Sequence, residues 1–195
     1  GKAFGPGVAD MKPGLVINAF ILAAFHKFGG HPNPMIGLFT GDEEIGSPSS
    51  KNIIIAEAEK ARLAFNSEPS RPSGNIVTQR KGGIFCHCAI KGVAAHSGGF
   101  FTEGRSAIQE LAHKIQALHA LTDLERGTTI NVGLVRGGQS VNTVAAEASC
   151  DIDIRYQDTA ERDDILTQVK TICEKVYVED TSSSFSIRGE FQPLN

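Results

Sequence analysis

No stretch of this chain is long and apolar enough to cross a membrane. The longest apolar run, Leu15 to Phe25, has eleven residues and includes Asn18. A bilayer-spanning helix needs about 20, so the run predicts a buried helix. No cluster of Lys and Arg forms a stripe, and the net charge is −3, which argues against nucleic acid or an anionic membrane as the main partner. No internal repeat and no low-complexity tract is present. No signal peptide is visible and the sequence opens Gly1-Lys2-Ala3 without an initiator Met, so the compartment, cytoplasmic or periplasmic, is left open. Cysteines are few: Cys86, Cys88, Cys150 and Cys173. Cys86-His87-Cys88 suggests a metal site, but on a strand His87 points away from both thiols. No second pair at metal-finger spacing exists, and the four read as small buried hydrophobes.

What is there is a soluble globular composition, 41% apolar and 21% charged over 195 residues, enough for one large or two small domains. Ser67 to Gly74, with two prolines, marks a junction. Before it the pattern is α/β. Met11 to Phe28 predicts a helix, apolar nearly all round and so deeply buried. Met35 to Phe39 predicts a strand, Ser47 to Lys60 a helix and Arg62 to Phe65 a second strand, in a parallel sheet. Two strands are too few for a covered sheet of that kind, so the segment reads as part of a larger domain. After the junction, strands are expected at Asn75–Lys91, Thr128–Val135, Val144–Tyr156 and Ser184–Arg188, with helices at Glu103–Leu121 and Ala160–Val178. The order β-α-β-β-α-β is the ferredoxin-like split unit, with both helices on one face.

Residues 41–46 read Gly-Asp-Glu-Glu-Ile-Gly. Three crowded carboxylates raise one another's pKa unless a positive charge sits among them. Asp10 lies where a glycine loop meets the first helix, and Glu68 follows the Arg62 to Phe65 segment. In an open α/β sheet ligands bind beyond the carboxyl ends of strands, and a bridging carboxylate can hold two divalent ions. The plainer readings stay open on spacing alone: Asp10 as a helix cap, and the glutamates as helix-start residues favoured by the dipole. Gly5-Pro6-Gly7 lacks the further glycine and the Lys-Ser/Thr pair of a phosphate loop.

Three segments, Gly5 to Lys12, Gly41 to Ser47 and Glu68-Pro69-Ser70, resemble the co-catalytic zinc peptidases of metallopeptidase family 20. These are the glutamate carboxypeptidase, acetylornithine deacetylase and succinyl-diaminopimelate desuccinylase relatives. Gly92 to Gly98, Gly137 to Asn142 and Asp153 to Tyr156 resemble their lid domain, and the likeness is greatest to the glutamate carboxypeptidase branch. The resemblance implies roles by position. Asp10 would bridge two zinc ions (Zn2+), with a cis peptide bond to Met11. Glu44 would bind one zinc and Glu68 the other, and Glu43 would be the general base for a metal-activated water. His96 would steady the oxyanion, reaching the partner subunit's site in a homodimer. Asn142 and Arg155 would bind substrate, Arg155 through a carboxylate. Outside the resemblance, His96 reads as a solvated loop residue and Arg155 as an exposed strand arginine.

The family's two zinc histidines have no counterpart in these residues. The chain is therefore expected to be the middle of a longer enzyme: a catalytic remnant at 1–72, a lid and dimerisation domain at 73–190, and the start of the return at 191–195. The parent is expected to hydrolyse an amide or peptide bond beside a carboxylate, acting on a small peptide. The alternatives are an N-acyl-amino-acid deacylase and, for this chain alone, a non-catalytic dimerisation module. On its own the chain is expected to be inactive.

Overall fold

The computed structural model describes residues 1–194. The chain divides into two compact units, Gly1–Val77 and the residues from Thr78 onward.

The first unit is helical. Helix α1 spans Lys12–Lys27 and starts with Pro13 in its first turn, where a missing N–H costs nothing. Helix α2 spans Lys51–Ala58, shorter than the Ser47 to Lys60 expectation because residues 47–50 form the turn that enters it. Two expectations are corrected. Met35–Phe39 and Arg62–Phe65 are not strands, and no strand forms in residues 1–77. Apolar content makes a run suitable for a sheet, but a strand exists only through ladder hydrogen bonds to a neighbour. Neither run has such a neighbour among the described residues. The α/β expectation for this unit thus reduces to helices. Helix α1 is also not deeply buried: Gly14 is its only buried residue, and Val16, Ile17 and Phe20 are exposed. A helix apolar on every side needs partners on every side, and a unit of two helices without a sheet does not supply them.

The second unit is α+β. Strand β1 covers Gly82–Lys91, followed by the short β2, Ala95–His96. Helix α3 is Ala107–His119, and strand β3 is Thr129–Gly137. The short β4, Thr143–Val144, precedes β5, Glu147–Tyr156. Helix α4 is Arg162–Glu174, and β6 is Ser182–Phe191. Strands β3, β5, β1 and β6 form one antiparallel sheet in that order, and β2 pairs with β4 in a separate ribbon. The four long strands and two helices follow the expected β-α-β-β-α-β order.

Alternation decides which side of the sheet is covered. Cys150, Ile152, Ile154 and Tyr156 of β5 face the helices with Ile84, Cys86, Cys88 and Ile90 of β1. Leu111 and Leu118 of α3 and Ile165, Val169 and Cys173 of α4 close over them. Ile108 of α3 lies half-exposed at the rim of this core, and α4 ends at Glu174, before the expected Val178. The four cysteines are buried and unpaired. His87 points to the opposite face, where its Nδ1 lies 2.6 Å from Asp151 Oδ1. That open face is polar, carrying Asp151, Asp153 and Arg155 from β5.

Strand β3 contains a bulge. Val132 faces Ile152, but Leu134 already faces Asp151, so Gly133 is the extra residue. Before the bulge Ile130 is buried; after it Leu134 and Val135 are exposed. Strand β3 is one of the two outer strands of the sheet.

Candidate active site

In the first unit Glu68 comes within electrostatic reach of Asp10, Glu43 and Glu44. Glycine at position 14 allows this: a Cβ there would sit 2.2 Å from the carbonyl oxygen of Ser67. The Ser67 hydroxyl donates to Asn18 Oδ1 at 2.6 Å. The segment before Glu68 is thus laid against α1, one turn from Asp10. The Glu68 carboxyl is pushed above its usual value by desolvation, then by the charge of Asp10 and a side-chain contact with it, and further by Glu43 and Glu44. Glu68 thus sits in a region of negative charge.

Asp10 does not cap α1. Met11 is the N-cap residue and makes no side-chain cap bond, and the Asp10–Met11 peptide is cis. Glu43 and Glu44 lie in a three-residue 3₁₀ turn, Glu43–Ile45, that ends at Gly46 in the left-handed region. Their neighbour Asp42, to which the sequence assigned no role, is the anchor of the loop. Its Oδ2 accepts the amides of Ser49 and Ser50 at 2.8 and 3.0 Å, and its Oδ1 the Ser50 hydroxyl at 2.5 Å. These bonds, the Ser50 hydroxyl first, hold the Asp42 carboxyl below its usual value. Asp42 therefore fixes where Glu43 and Glu44 project.

In the second unit His96 and Asn142 are brought together. His96 ends β2 opposite Thr143 of β4, and the Ser97 amide donates to the Asn142 carbonyl at 3.0 Å. Both side chains are exposed. The Ser140 hydroxyl donates to Asn142 Oδ1 at 2.9 Å and lies 2.8 Å from Thr143 Oγ1. This engages the Asn142 side-chain oxygen, and the side-chain nitrogen is the group that can donate. Nothing in residue type or spacing marks Ser140 for this role; the Gly-Gly turn before it was the only signal.

Arg155 is elsewhere. It pairs with Gly83 and Thr129, while His96 lies past Lys91 at the other end of β1. Ten strand residues at about 3.3 Å each separate the two ends by roughly 30 Å. Its Nε is 2.8 Å from Asp153 Oδ1 and its Nη2 3.1 Å from Oδ2, a two-pronged contact on one strand face. The guanidinium carbon also lies over the rings of Phe85 and Phe191, 5.3 and 5.2 Å from their centres. A substrate carboxylate at Arg155 would have to displace Asp153.

Among the described residues no three His, Cys, Asp or Glu side chains close around one point as a metal cage. The positions that the family resemblance points to in the first unit, Asp10, Glu43, Glu44 and Glu68, are all carboxylates, and zinc usually takes at least three protein ligands.

Residues 78–181 match the family model of the M20 peptidase dimerisation domain. The chain is 28% identical over 176 residues to carboxypeptidase G2 of Pseudomonas sp. (strain RS-16), covering 89% of this chain and 42% of that protein. It is 30% identical over 158 residues to acetylornithine deacetylase of Myxococcus xanthus, covering 74% and 39%. A probable carboxypeptidase of Ajellomyces dermatitidis is 30% identical over 204 residues, covering 96% and 45%. The chain thus spans less than half the length of these relatives. Among solved structures, a hydantoinase/carbamoylase family amidase from Burkholderia ambifaria superposes with a TM-score of 0.55 at 19% identity, over 60% of this chain and 30% of that one. The aminobenzoyl-glutamate utilization protein of Klebsiella pneumoniae gives 0.52 at 21%, over 59% and 30%. At such identity these two speak for the fold alone. With the four-stranded antiparallel sheet and two helices over the matched residues, the chain belongs to the M20 peptidase family and carries its dimerisation domain.

Proposed function

We propose that this chain is part of a zinc-dependent hydrolase that cleaves an amide or peptide bond beside a carboxylate, in the manner of a glutamate carboxypeptidase. The observation that carries the reading is the side-chain contact between Asp10 and Glu68, within reach of the charges of Glu43 and Glu44. Likeness to carboxypeptidase G2 supports the reaction class.

Asp10 would bridge two metal ions, with Glu44 and Glu68 each holding one of them. Bound zinc supplies Lewis-acid activation of water and of the scissile carbonyl. Glu43 takes the proton of the attacking water and returns it to the leaving amine. His96 donates to the oxygen of the tetrahedral intermediate, in the partner subunit's site, and Asn142 donates to substrate beside it. Arg155, the family-implied carboxylate binder, would act only after exchanging Asp153 for substrate.

Two copies would pair through the dimerisation domain. The outer strand β3, with Leu134 and Val135 exposed, is an edge suited to it. Light scattering on this chain should give twice its 20.8 kDa mass. The acetylornithine deacetylase likeness favours a second reading, an N-acyl-amino-acid deacylase. Release of C-terminal glutamate against release of an acyl group separates the two.

In the complete hydrolase, Glu43→Gln should keep metal binding and lose about 10²-fold or more of the rate. A wild-type rate in that variant would remove Glu43 as the base.

A further inference from the structure

The chain turns back directly after His96. The Phe100 amide donates to the His96 carbonyl at 3.0 Å. Inside that turn two successive amides, Gly98 and Gly99, donate to one side-chain atom, His96 Nδ1, at 3.1 and 3.2 Å. An N–H can donate only to a lone pair. In neutral imidazole one ring nitrogen has the lone pair and the other carries the proton. A nitrogen that accepts two amides is the bare one, so the proton belongs to Nε2.

We infer that the Ser97-Gly98-Gly99 turn is a positioning device that fixes His96 as its Nε2–H tautomer. The outward nitrogen is then a hydrogen-bond donor in the neutral ring and cannot act as a base. The two amides also hold the ring plane, because both must reach the same atom. This inference rests on the reading of His96 as an oxyanion donor and extends it: proton abstraction is left to Glu43, and the turn prevents His96 from competing for it. Glycine suits the turn without being needed for the bonds, since the donors are backbone groups. A Cβ at Gly98 would make ordinary contact with the ring, 3.4 Å from Cε1, and a Cβ at Gly99 would meet open space.

The test is long-range ¹H–¹⁵N correlation on the ¹⁵N-histidine-labelled chain at alkaline pH, where imidazole is neutral. The chain has six histidines, and the His96 signals are those lost in His96→Ala. The wild type should show Nδ1 unprotonated and Nε2 protonated, with no second tautomer. Gly98→Pro and Gly99→Pro each delete one donor, and the double variant should move the Nδ1 and Nε2 shifts toward the averaged values of an exchanging ring. Gly99→Ala, which keeps its amide, should retain the wild-type pattern. Because proline could disturb the turn, a second measurement leaves the backbone alone: the Gly98 and Gly99 amide protons should move upfield in His96→Ala. A mixed or Nδ1–H population in the wild type, or Gly98 and Gly99 amides indifferent to loss of the ring, would overturn the inference. A normal rate for His96→Ala in the complete hydrolase would instead remove the oxyanion reading and leave the tautomer assignment standing.

Discussion

Glu110 and Lys114 meet at 2.8 Å inside the second unit, with both side chains fully shielded from water. Glu110 Oε2 also accepts the amides of Tyr177 and Val178 at 2.9 and 2.6 Å. Lys114 donates to the carbonyls of Ile172 and Lys175 and lies 5.4 Å from the Tyr177 ring centre. One ion pair one turn apart on α3 thus ties that helix to the end of α4 and the segment after it.

Removing one partner of this pair should leave the other charge buried and unpaired. Lys114→Met leaves a buried carboxylate without its cation and should destabilise the unit by about 3–5 kcal/mol. Glu110→Leu with Lys114→Met should cost less than the sum of the single changes. Denaturant unfolding of the four members of this cycle measures the coupling. Strict additivity would mean that the two charges do not support each other.

The same site sets an acid limb of stability. Burial pushes the Glu110 carboxyl up, but the Lys114 hydrogen bond and the Val178 and Tyr177 amides outweigh it, and the net shift is downward. The unfolded chain then binds the proton more tightly than the folded one. The contribution is therefore full above the unfolded carboxyl value of about 4.3 and is lost as pH falls through the lower folded value. Thermal midpoints against pH should fall less steeply below that value in Glu110→Gln than in the wild type. Parallel curves would contradict the assignment.

Gly14 controls the acidic cluster from outside it. A methyl group there cannot coexist with the Ser67 carbonyl at 2.2 Å, so Gly14→Ala should push the 67–68 segment away from α1. The Glu68 carboxyl should then titrate nearer its ordinary value. Asp10→Asn should shift it the same way by removing the charge that acts most on it. ¹³C carboxyl shifts against pH read both. An unchanged Glu68 in Asp10→Asn would show that burial alone raises it.

The four thiols should be silent in the native protein. Burial, then the charge of Glu190, pushes Cys86 up to about 12, and the thiolate is the reactive form. All four thiols are buried in the core, so iodoacetamide at neutral pH should reach none of them until unfolding exposes all four to mass-detected alkylation. Rapid native labelling of Cys86 would contradict its place in the core.

The second unit was the more legible in the sequence because its signals are local. Ile152 and Ile154 alternating with Asp151, Asp153 and Arg155 set the faces of β5, and the same period put His87 opposite the cysteines of β1. In the first unit the apolar run Met35 to Phe39 had the composition of a strand, but a strand also needs a partner. The apolar composition of α1 likewise implies burial only where neighbours exist to cover it. The carboxylate cluster was legible as charge, yet the parts that assemble it were not. Gly14 under Ser67 and Asp42 under Ser50 are contacts across seven or more residues, and no period announces them. Nor does any pattern announce two backbone amides meeting His96.

The bulge at Gly133 gives β3 one residue more than the ladder it pairs with. Val132 opposes Ile152 and Leu134 opposes Asp151, so Gly133 is a residue the neighbouring strand does not count. Removing it would place Leu134 directly after Val132 and still opposite Asp151, with every later side chain on its present face. What would change is the shape of the edge, because a bulge bends its strand and increases the local twist. Residue 133 is thus a spacer that curves the strand leading to the Gly137 to Asn142 segment, and it does not set which face that segment leaves from.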